Sequence, residues 1–364
     1  MDSPVPTPTP TDDPTSSQRS SRRGSRPLIT FVAGLLVVVV GVELGVRAVQ
    51  SRLPEPQVYF STAAQKFVHD MDTLKAHGIK SRVTFFGTSM VQRGIDGNKV
   101  ESLLSWPNTS VHNVALPGSQ TPLMQRWLLE EVVPRLHPKV IVWGVSSLEF
   151  NGGRIQHRID DYNAARATRT GVLADLDRSL NNLAISKHRA ALRDPFQLQL
   201  AVDGKAAKYT RNIPLSNRAT WQSTFKPMSA ANLAKNQKVE AAYARATQLL
   251  DFRVGQAELA AFSETISELQ RRGIKVVIVV MPVPSGYLSV HPGGAKQFGD
   301  WQQLITTTAT KLGANVIDQF VRALPDDSFR DVEHLETVPA RDVFTPKLTT
   351  ALTALPWWRT VFAT

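Results

Sequence analysis

The fold prediction rests on the stretch Ser81-Arg-Val-Thr-Phe-Phe-Gly-Thr-Ser-Met90. Its apolar and β-branched residues indicate a buried strand that stops at Gly87-Thr88-Ser89. A serine placed directly after such a strand lies at the rim of an α/β sheet, where the carboxyl ends of the strands form the ligand site. Ser89 is therefore a candidate nucleophile.

The partners of that serine are predicted near the other end of the chain, at Asp331-Val-Glu-His334. A serine nucleophile needs a base within hydrogen-bonding reach, and the base needs a group to orient it. Asp331 and His334, three positions apart on one loop or helical turn, can supply the orienting group and the base. The residues alone therefore predict a serine hydrolase or acyltransferase, with His334 as the base and Asp331 as the orienting acid.

The composition excludes several classes of function. The chain has 364 residues and a formal net charge of +11, and part of that charge is a cluster of arginines at positions 19, 22, 23 and 26. The remaining Lys and Arg residues are scattered, without a basic stripe interleaved with aromatics, so we predict no nucleic-acid partner. The chain has no cysteine, which excludes disulfides and thiolate chemistry. The histidines outside Asp331–His334 lack metal-ligand spacing, so neither a metal nor a cofactor is expected.

The N-terminal part of the chain predicts a membrane anchor. Residues 1–27 are rich in Pro, Thr, Ser and Arg and predict a disordered cytoplasmic tail. Residues 28–49 are apolar enough to predict a single transmembrane signal-anchor, and the preceding arginines place the N-terminus in the cytoplasm. A cleaved signal peptide is the alternative. Residues 50–62 then form a linker, and 63–364 an extracytoplasmic domain at the plasma membrane.

The domain itself predicts an α/β fold with a doubly wound parallel sheet. Five apolar segments indicate strands, and the helical patterns between them are typical of βαβ units. A polar and basic stretch at about 151–235 shows few strand signals and predicts a helical insertion. The predicted strands are residues 83–86, 111–116, 140–143, 274–281 and 315–318.

Three segments resemble the sequence blocks of the SGNH (GDSL-like) hydrolase superfamily. Gly87-Thr88-Ser89 resembles the first block, whose serine is the nucleophile. Asn113-Val-Ala-Leu-Pro-Gly118 resembles the second, whose glycine offers a backbone N–H to the oxyanion. Asp331-Val-Glu-His334 resembles the last, D-x-x-H. The resemblance implies a flavodoxin-like three-layer fold, a catalytic triad of Ser89, Asp331 and His334, and an oxyanion hole formed by Ser89 and Gly118.

The third block departs from that family. The superfamily has G-x-N-D after its third strand, and the Asn completes the oxyanion hole. This chain has Gly144-Val-Ser146-Ser147-Leu-Glu149-Phe-Asn151, which places Ser146 where the Asn is expected. A hydroxyl can donate only one hydrogen bond. Either Ser146 or Asn151 supplies the third donor, or the hole has two donors, or catalysis is slow.

The anchor, the insertion and the sequence Phe329-Arg-Asp-Val-Glu-His-Leu335 look most like the membrane-anchored branch that includes DltD and the AlgJ/AlgX group. That resemblance implies an esterase or O-acyltransferase acting on a cell-envelope glycopolymer. Its substrate would be an acylated small molecule, lipid or glycan, and its partner a multipass membrane acyltransferase. The alternative is a catalytically weak or inactive protein that binds glycan, or such a partner, during envelope assembly.

Overall fold

The computed structural model describes four parts of the chain, residues 26–49, 63–153, 183–187 and 228–363. The predicted tail up to residue 25, the linker at 50–62 and most of the insertion lie outside the described residues. Clustering of backbone contacts divides the chain into two compact units. One unit comprises residues 1–58 and 176–211, and the other comprises residues 59–175 and 212–364.

In the smaller unit, helix α1 (Arg26–Val49) contacts the short helix Ala184–Lys187. Glu43, the acidic residue of the predicted anchor, is buried there. Its carboxylate accepts hydrogen bonds from the N–H groups of Ala184 at 2.9 Å and Ile185 at 3.0 Å. No helix in the described part of the chain combines the length and hydropathy needed to cross a membrane. The anchor at 28–49 stays a prediction.

The larger unit is built on a five-stranded sheet whose strands are all parallel, which confirms the predicted α/β class and doubly wound sheet. The strand order is β2-β1-β3-β4-β5, the flavodoxin-like arrangement. Strands are added on one side of β1 before β3 and on the other side from β3 onward, so the β1–β3 pair marks the switch point where ligands bind in such sheets. The strands are β1 (Val83–Phe86), β2 (Val111–Asn113), β3 (Val140–Val145), β4 (Lys275–Val280) and β5 (Asn315–Ile317).

Strand β2 is shorter than predicted, while β3 continues two residues further. The predicted 111–116 strand pairs with β1 only as far as Asn113. Beyond it, Val114 N still donates to Phe85 O at 3.0 Å and Leu116 N to Gly87 O at 2.8 Å. The chain after β2 therefore runs beside the end of β1, although it has left the regular ladder.

Helices cover the sheet, and those on the same side pack against one another. Helix α4 (Gly97–Leu104) packs against α11 (Thr345–Thr353), and α5 (Thr121–Arg126) packs against α8 (Gln256–Arg271). Trp143 of β3 makes edge-on contacts with Phe86 of β1 and Phe262 of α8, with ring centroids 5.2 and 5.0 Å apart. The helices are α2 (Ala63–Ala76), α3 (Ser89–Gly94), α4 (Gly97–Leu104), α5 (Thr121–Arg126), α6 (Val133–Leu136), α7 (Ala230–Tyr243), α8 (Gln256–Arg271), α9 (Ser285–Val290), α10 (Gly294–Lys311), α11 (Thr345–Thr353) and α12 (Trp358–Phe362).

Short segments of other helical geometry complete the larger unit. Two of them connect parts of a longer helix, since Trp127–Val132 joins α5 to α6, and Ala340–Phe344 leads into α11. Among the described residues, such segments are the π-helices Trp127–Val132, Ala244–Gln248 and Ala340–Phe344, the 3₁₀ turns Ser147–Phe150 and Asp326–Ser328, and the helical turn Thr337–Pro339.

Helix α7 starts nine residues before the predicted helix at 239–250, inside the region assigned to the insertion. Its N-cap is Ser229, whose hydroxyl accepts a hydrogen bond from Asn232 N at 3.4 Å. None of its fourteen residues is buried. The sequence pattern failed here because a helix without a buried apolar face has no hydrophobic period to detect.

Candidate active site

The turn from β1 into α3 holds Ser89 at the carboxyl edge of the sheet. Gly87 makes this turn with a φ of 153°, a backbone conformation that side-chain-bearing residues rarely adopt. A Cβ atom at Gly87 would lie 2.5 Å from Gly144 O and would also clash with Val91. Ser89 is the first residue of α3, so its N–H has no acceptor within the helix.

A buried asparagine fixes the helix that carries the serine. Asn113, at the end of β2, donates through its side-chain nitrogen to Val91 O and Ile95 O, both at 3.0 Å. These bonds occupy carbonyl groups in and just after α3, where a short helix otherwise leaves them unpaired. The N-V-A-L-P-G segment therefore positions the nucleophile as well as carrying Gly118.

The base lies on a tight loop closed by a bridge between Phe329 and Leu335. Within this loop, Arg330 N donates to His334 O at 2.7 Å. One carboxylate oxygen of Asp331, Oδ1, accepts the backbone N–H groups of Glu333 at 2.8 Å and His334 at 2.7 Å. The carboxylate is thereby fixed before it contacts the imidazole.

A continuous chain of hydrogen bonds joins the three residues of the predicted triad. Nε2 of His334 lies 2.8 Å from Oγ of Ser89. Nδ1 of His334 lies 2.8 Å from Oδ2 and 2.9 Å from Oδ1 of Asp331. Because a carboxylate only accepts hydrogen bonds, Nδ1 carries the hydrogen and the neutral Nε2 accepts from the serine. The side chain of His334 is 14 % exposed, so a small substrate can reach this pair.

Asp331 stays ionised beside the imidazole. Burial opposes the charged form, but hydrogen bonds from the His334 ring and from the N–H groups of Glu333 and His334 outweigh it. The pKa of Asp331 is therefore lowered from its usual value. Nη1 of Arg93, one turn after Ser89 on α3, lies 4.0 Å from Asp331 Oδ2 and adds a positive charge.

Helix α7 holds the base loop through side-chain amides, a contact that the sequence analysis missed. Gln237 donates to Phe329 O at 2.8 Å and to Asp326 O at 3.1 Å. Asn236 donates to Arg330 O at 2.9 Å. The two carbonyls at 329 and 330 directly precede Asp331, so these amides set where the acid sits. An Asn-Gln pair in a polar helix gives no sequence signal for such a role.

The backbone geometry places Gly118 near the start of α3. The segment Val114–Leu116 is bonded to the end of β1, and Pro117-Gly118 follows it immediately. Gly118 has a φ of 66°, the left-handed conformation that favours glycine. Among the described residues, none accepts a hydrogen bond from the Gly118 N–H.

The two candidates for a third oxyanion donor lie in different surroundings. Ser146 follows β3 at the switch point, and its hydroxyl lies 2.7 Å from Oε2 of Glu149. Asn151, the alternative candidate, lies among backbone carbonyl groups. Its side-chain nitrogen donates to Gln248 O at 2.8 Å and Leu250 O at 3.4 Å, so both amide hydrogens are used.

Glu149 belongs to the site through Ser146. It closes a capping box in which its Oε1 accepts the backbone N–H of Ser146 at 3.0 Å, while its Oε2 lies 2.7 Å from the Ser146 hydroxyl. The S-x-x-E spacing is a sequence signal for this motif. Burial raises the pKa of Glu149 to about 8. Within the described ranges, no group of three or more His, Asp or Glu side chains is arranged to hold a metal ion.

Comparisons with known proteins add little to this geometry. No family model matches the chain, and no curated protein sequence matches it either. Among solved structures, the chain is similar to a lipase/acylhydrolase from Enterococcus faecalis, with 11% sequence identity and a TM-score of 0.36. The match covers 74% of this chain and 96% of the other. A likeness at this level carries no argument about activity, which has to come from the site.

Proposed function

We propose that this protein is a serine esterase or O-acyltransferase that forms an acyl-enzyme on Ser89. The observation that carries the proposal is the hydrogen-bond chain from Ser89 through His334 to Asp331, located at the switch point of a parallel sheet. A nucleophile, a base and an orienting acid in that order define the arrangement used for acyl transfer on several unrelated folds. The SGNH-like order of the sequence blocks supports the same reading.

The chemistry follows from the roles of the three residues. Nε2 of His334 takes the hydroxyl proton of Ser89 while Oγ attacks the carbonyl carbon of an ester or thioester. The N–H groups of Ser89 and Gly118 donate to the oxyanion that forms. When the intermediate collapses, His334 returns the proton to the departing alcohol or thiol. An incoming water or hydroxyl then repeats these steps on the acyl-enzyme and releases the acyl group.

The acceptor we propose is a hydroxyl of a cell-envelope glycopolymer, and the donor an acylated small molecule, lipid or glycan. This part rests on the predicted single-pass anchor at 28–49 and on the resemblance to the anchored branch of the superfamily. A tethered domain outside the plasma membrane stays close to a membrane-delivered donor and an envelope acceptor. A multipass membrane acyltransferase would be the partner that supplies the acyl group.

The second candidate is a catalytically weak or inactive protein that binds glycan or an acyltransferase partner during envelope assembly. The observation that favours it is the contact of the Ser146 hydroxyl with Glu149, since an ionised Glu149 would occupy the only hydrogen that Ser146 can donate. Losing one oxyanion donor typically lowers kcat by about 100-fold to 1,000-fold.

A fluorophosphonate probe tests the proposal on the full-length chain. We expect labelling of the wild type and none of Ser89→Ala. Ser147→Ala is a matched control, because the Ser147 hydroxyl also lies 2.9 Å from a histidine nitrogen, His291 Nε2, but is fully buried. This variant should label like the wild type. Equal labelling of wild type and Ser89→Ala, or none of either, would favour the binding protein.

Unlabelled wild-type protein can then be tested for the acceptor that it prefers. A chromogenic acetyl ester reports release of the acyl group, and added oligosaccharide competes with water for the acyl-enzyme. Acetylated sugar as the main product would establish a transferase. Free acetate at every sugar concentration would establish a hydrolase.

A further inference from the structure

The orientation of Ser146 is fixed by the strand that precedes it. Side chains alternate between the two faces of a strand, and Ser146 continues β3 with extended backbone angles, φ −134° and ψ 167°. It therefore shares a face with Gly144, whose absent side chain would meet Val91 of α3. This is the face on which Ser89 begins α3. The hydroxyl thus stands at the switch point, on the nucleophile's side of the sheet.

The protonation state of Glu149 determines whether the Ser146 hydroxyl can donate a hydrogen bond to another group. An ionised carboxylate can only accept, so the single hydroxyl hydrogen of Ser146 would point to Glu149 Oε2 across 2.7 Å. A protonated carboxyl donates across the same distance. The hydroxyl oxygen of Ser146 then accepts from Glu149, and its own hydrogen is free to point elsewhere.

The surroundings of Glu149 favour the protonated form. The side chain is fully buried, and its two oxygens bond to the N–H and hydroxyl of Ser146. The charge that acts on it comes from Glu333 of the base loop, a second acid, which disfavours ionisation further. The group facing this cluster from α9 is Tyr287, whose phenol interacts with Ser146 and lies 2.7 Å from the Ser147 hydroxyl. Burial raises the pKa of Tyr287 well above its usual value, so the phenol stays neutral and adds no negative charge.

We propose that Glu149 is a positioning residue whose protonated carboxyl donates a hydrogen bond to the Ser146 hydroxyl. The hydrogen of that hydroxyl is then free, and Ser146 serves as the third oxyanion donor. Ser146 would thereby do the work of the missing asparagine. The inference rests on the acyl chemistry proposed above and adds a proton-dependent donor to it.

The pH dependence that follows has a definite sign. Below the pKa of Glu149 the carboxyl is protonated and the Ser146 hydrogen is available. As the pH rises through about 8, Glu149 ionises and its carboxylate accepts the hydrogen bond of the Ser146 hydroxyl. That hydroxyl can no longer donate to the oxyanion, so the rate falls. The wild type should therefore show a decline in rate on the alkaline side.

The kinetic test compares variants of the full-length chain for ester hydrolysis and fluorophosphonate labelling across the pH range. Ser146→Ala should lower kcat by about 100-fold at neutral pH, while Ser146→Thr, which keeps the hydroxyl, should restore most of the rate. Glu149→Gln has an amide that donates to Ser146 at every pH. It should keep the neutral-pH rate and lose the alkaline decline.

Ser119→Ala serves as the comparison variant, because Ser119 is a buried serine beside Gly118 whose hydroxyl has no partner among the described residues. A loss of rate in Ser119→Ala with none in Ser146→Ala would overturn the proposal. The same alkaline decline in Glu149→Gln as in the wild type would also overturn it.

A second measurement separates this inference from the proposed function. The infrared difference between wild type and Glu149→Gln should contain a protonated-carboxyl band near neutral pH that disappears above the pKa of about 8. The readout needs no catalysis. An inactive wild type that shows this band would contradict the acyl chemistry while leaving the Glu149 proton in place. An active wild type without the band would contradict the proton on Glu149 alone.

Discussion

Ser89 and His334 meet at 2.8 Å, yet the two segments that carry them are held in different ways. The serine segment is held within the core. Gly87 lies where no side chain fits, Asn113 is buried against α3, and Met90 and Val91 are buried. The histidine loop also packs into the core, through Phe329, Val332 and Leu335, but it depends in addition on amides from α7, a helix with no buried residue. The nucleophile is thus held from within the core, and the base partly by hydrogen bonds from an exposed helix.

The largest expected effect tests the base side of this comparison. Asp331→Asn should lower kcat by about 10,000-fold, because the amide can present its nitrogen to Nδ1 and stabilise the wrong tautomer of His334. The measurement is ester hydrolysis at neutral pH, with circular dichroism to show that the fold is intact. A loss of only a few fold would mean that Asp331 does not orient the imidazole.

The next effect tests the serine side, where we expect loss of stability as well as activity. Gly87→Ala introduces a Cβ into an occupied space and forces an unfavourable φ, so the free energy of unfolding should fall by about 3 kcal/mol. Gly78→Ala is the matched control. Gly78 also has a positive φ, 69°, but a Cβ there would meet nothing within 4 Å. Its cost should be about 1 kcal/mol. Denaturant titration measures both, and equal losses would show that packing does not hold this turn.

A smaller effect is expected from the helix that holds the base loop. Replacing both Asn236 and Gln237 by alanine removes the donors to Phe329 O and Arg330 O, each worth about 1 kcal/mol. We expect kcat to fall about 10-fold through misplacement of His334, with little change in KM, because geometry and not substrate binding is altered. Lys238→Ala, an exposed position on the same helix, is the control. Equal rates for the double variant and this control would mean that α7 does not position the base.

The same contrast explains what the sequence could predict. Strand β1 and the Gly87 turn were predictable, since a buried strand has a clear apolar run and ends at a residue with a conformational reason to be glycine. The position of α7 was not, because its role depends on two amides that reach backbone carbonyls more than ninety positions further along the chain. Asn151 was an alternative oxyanion donor because its type suited that function, while its partners at residues 248 and 250 are invisible without the fold.

The smallest effect is on the free energy of unfolding at acid pH, where Asp331 in the base loop is the titrating group. Asp331 has a lowered pKa in the folded state, so at acid pH the unfolded chain binds its proton first. Its contribution to stability is therefore present above the usual pKa of about 3.8 and is lost as the pH falls through the folded-state value. Asp331→Asn should flatten the acid limb of the unfolding free energy. Asp300→Asn, which alters an exposed carboxylate paired with Lys296 on α10, should keep the wild-type slope. Identical acid limbs in all three proteins would mean that the ionised Asp331 contributes nothing to holding the base loop.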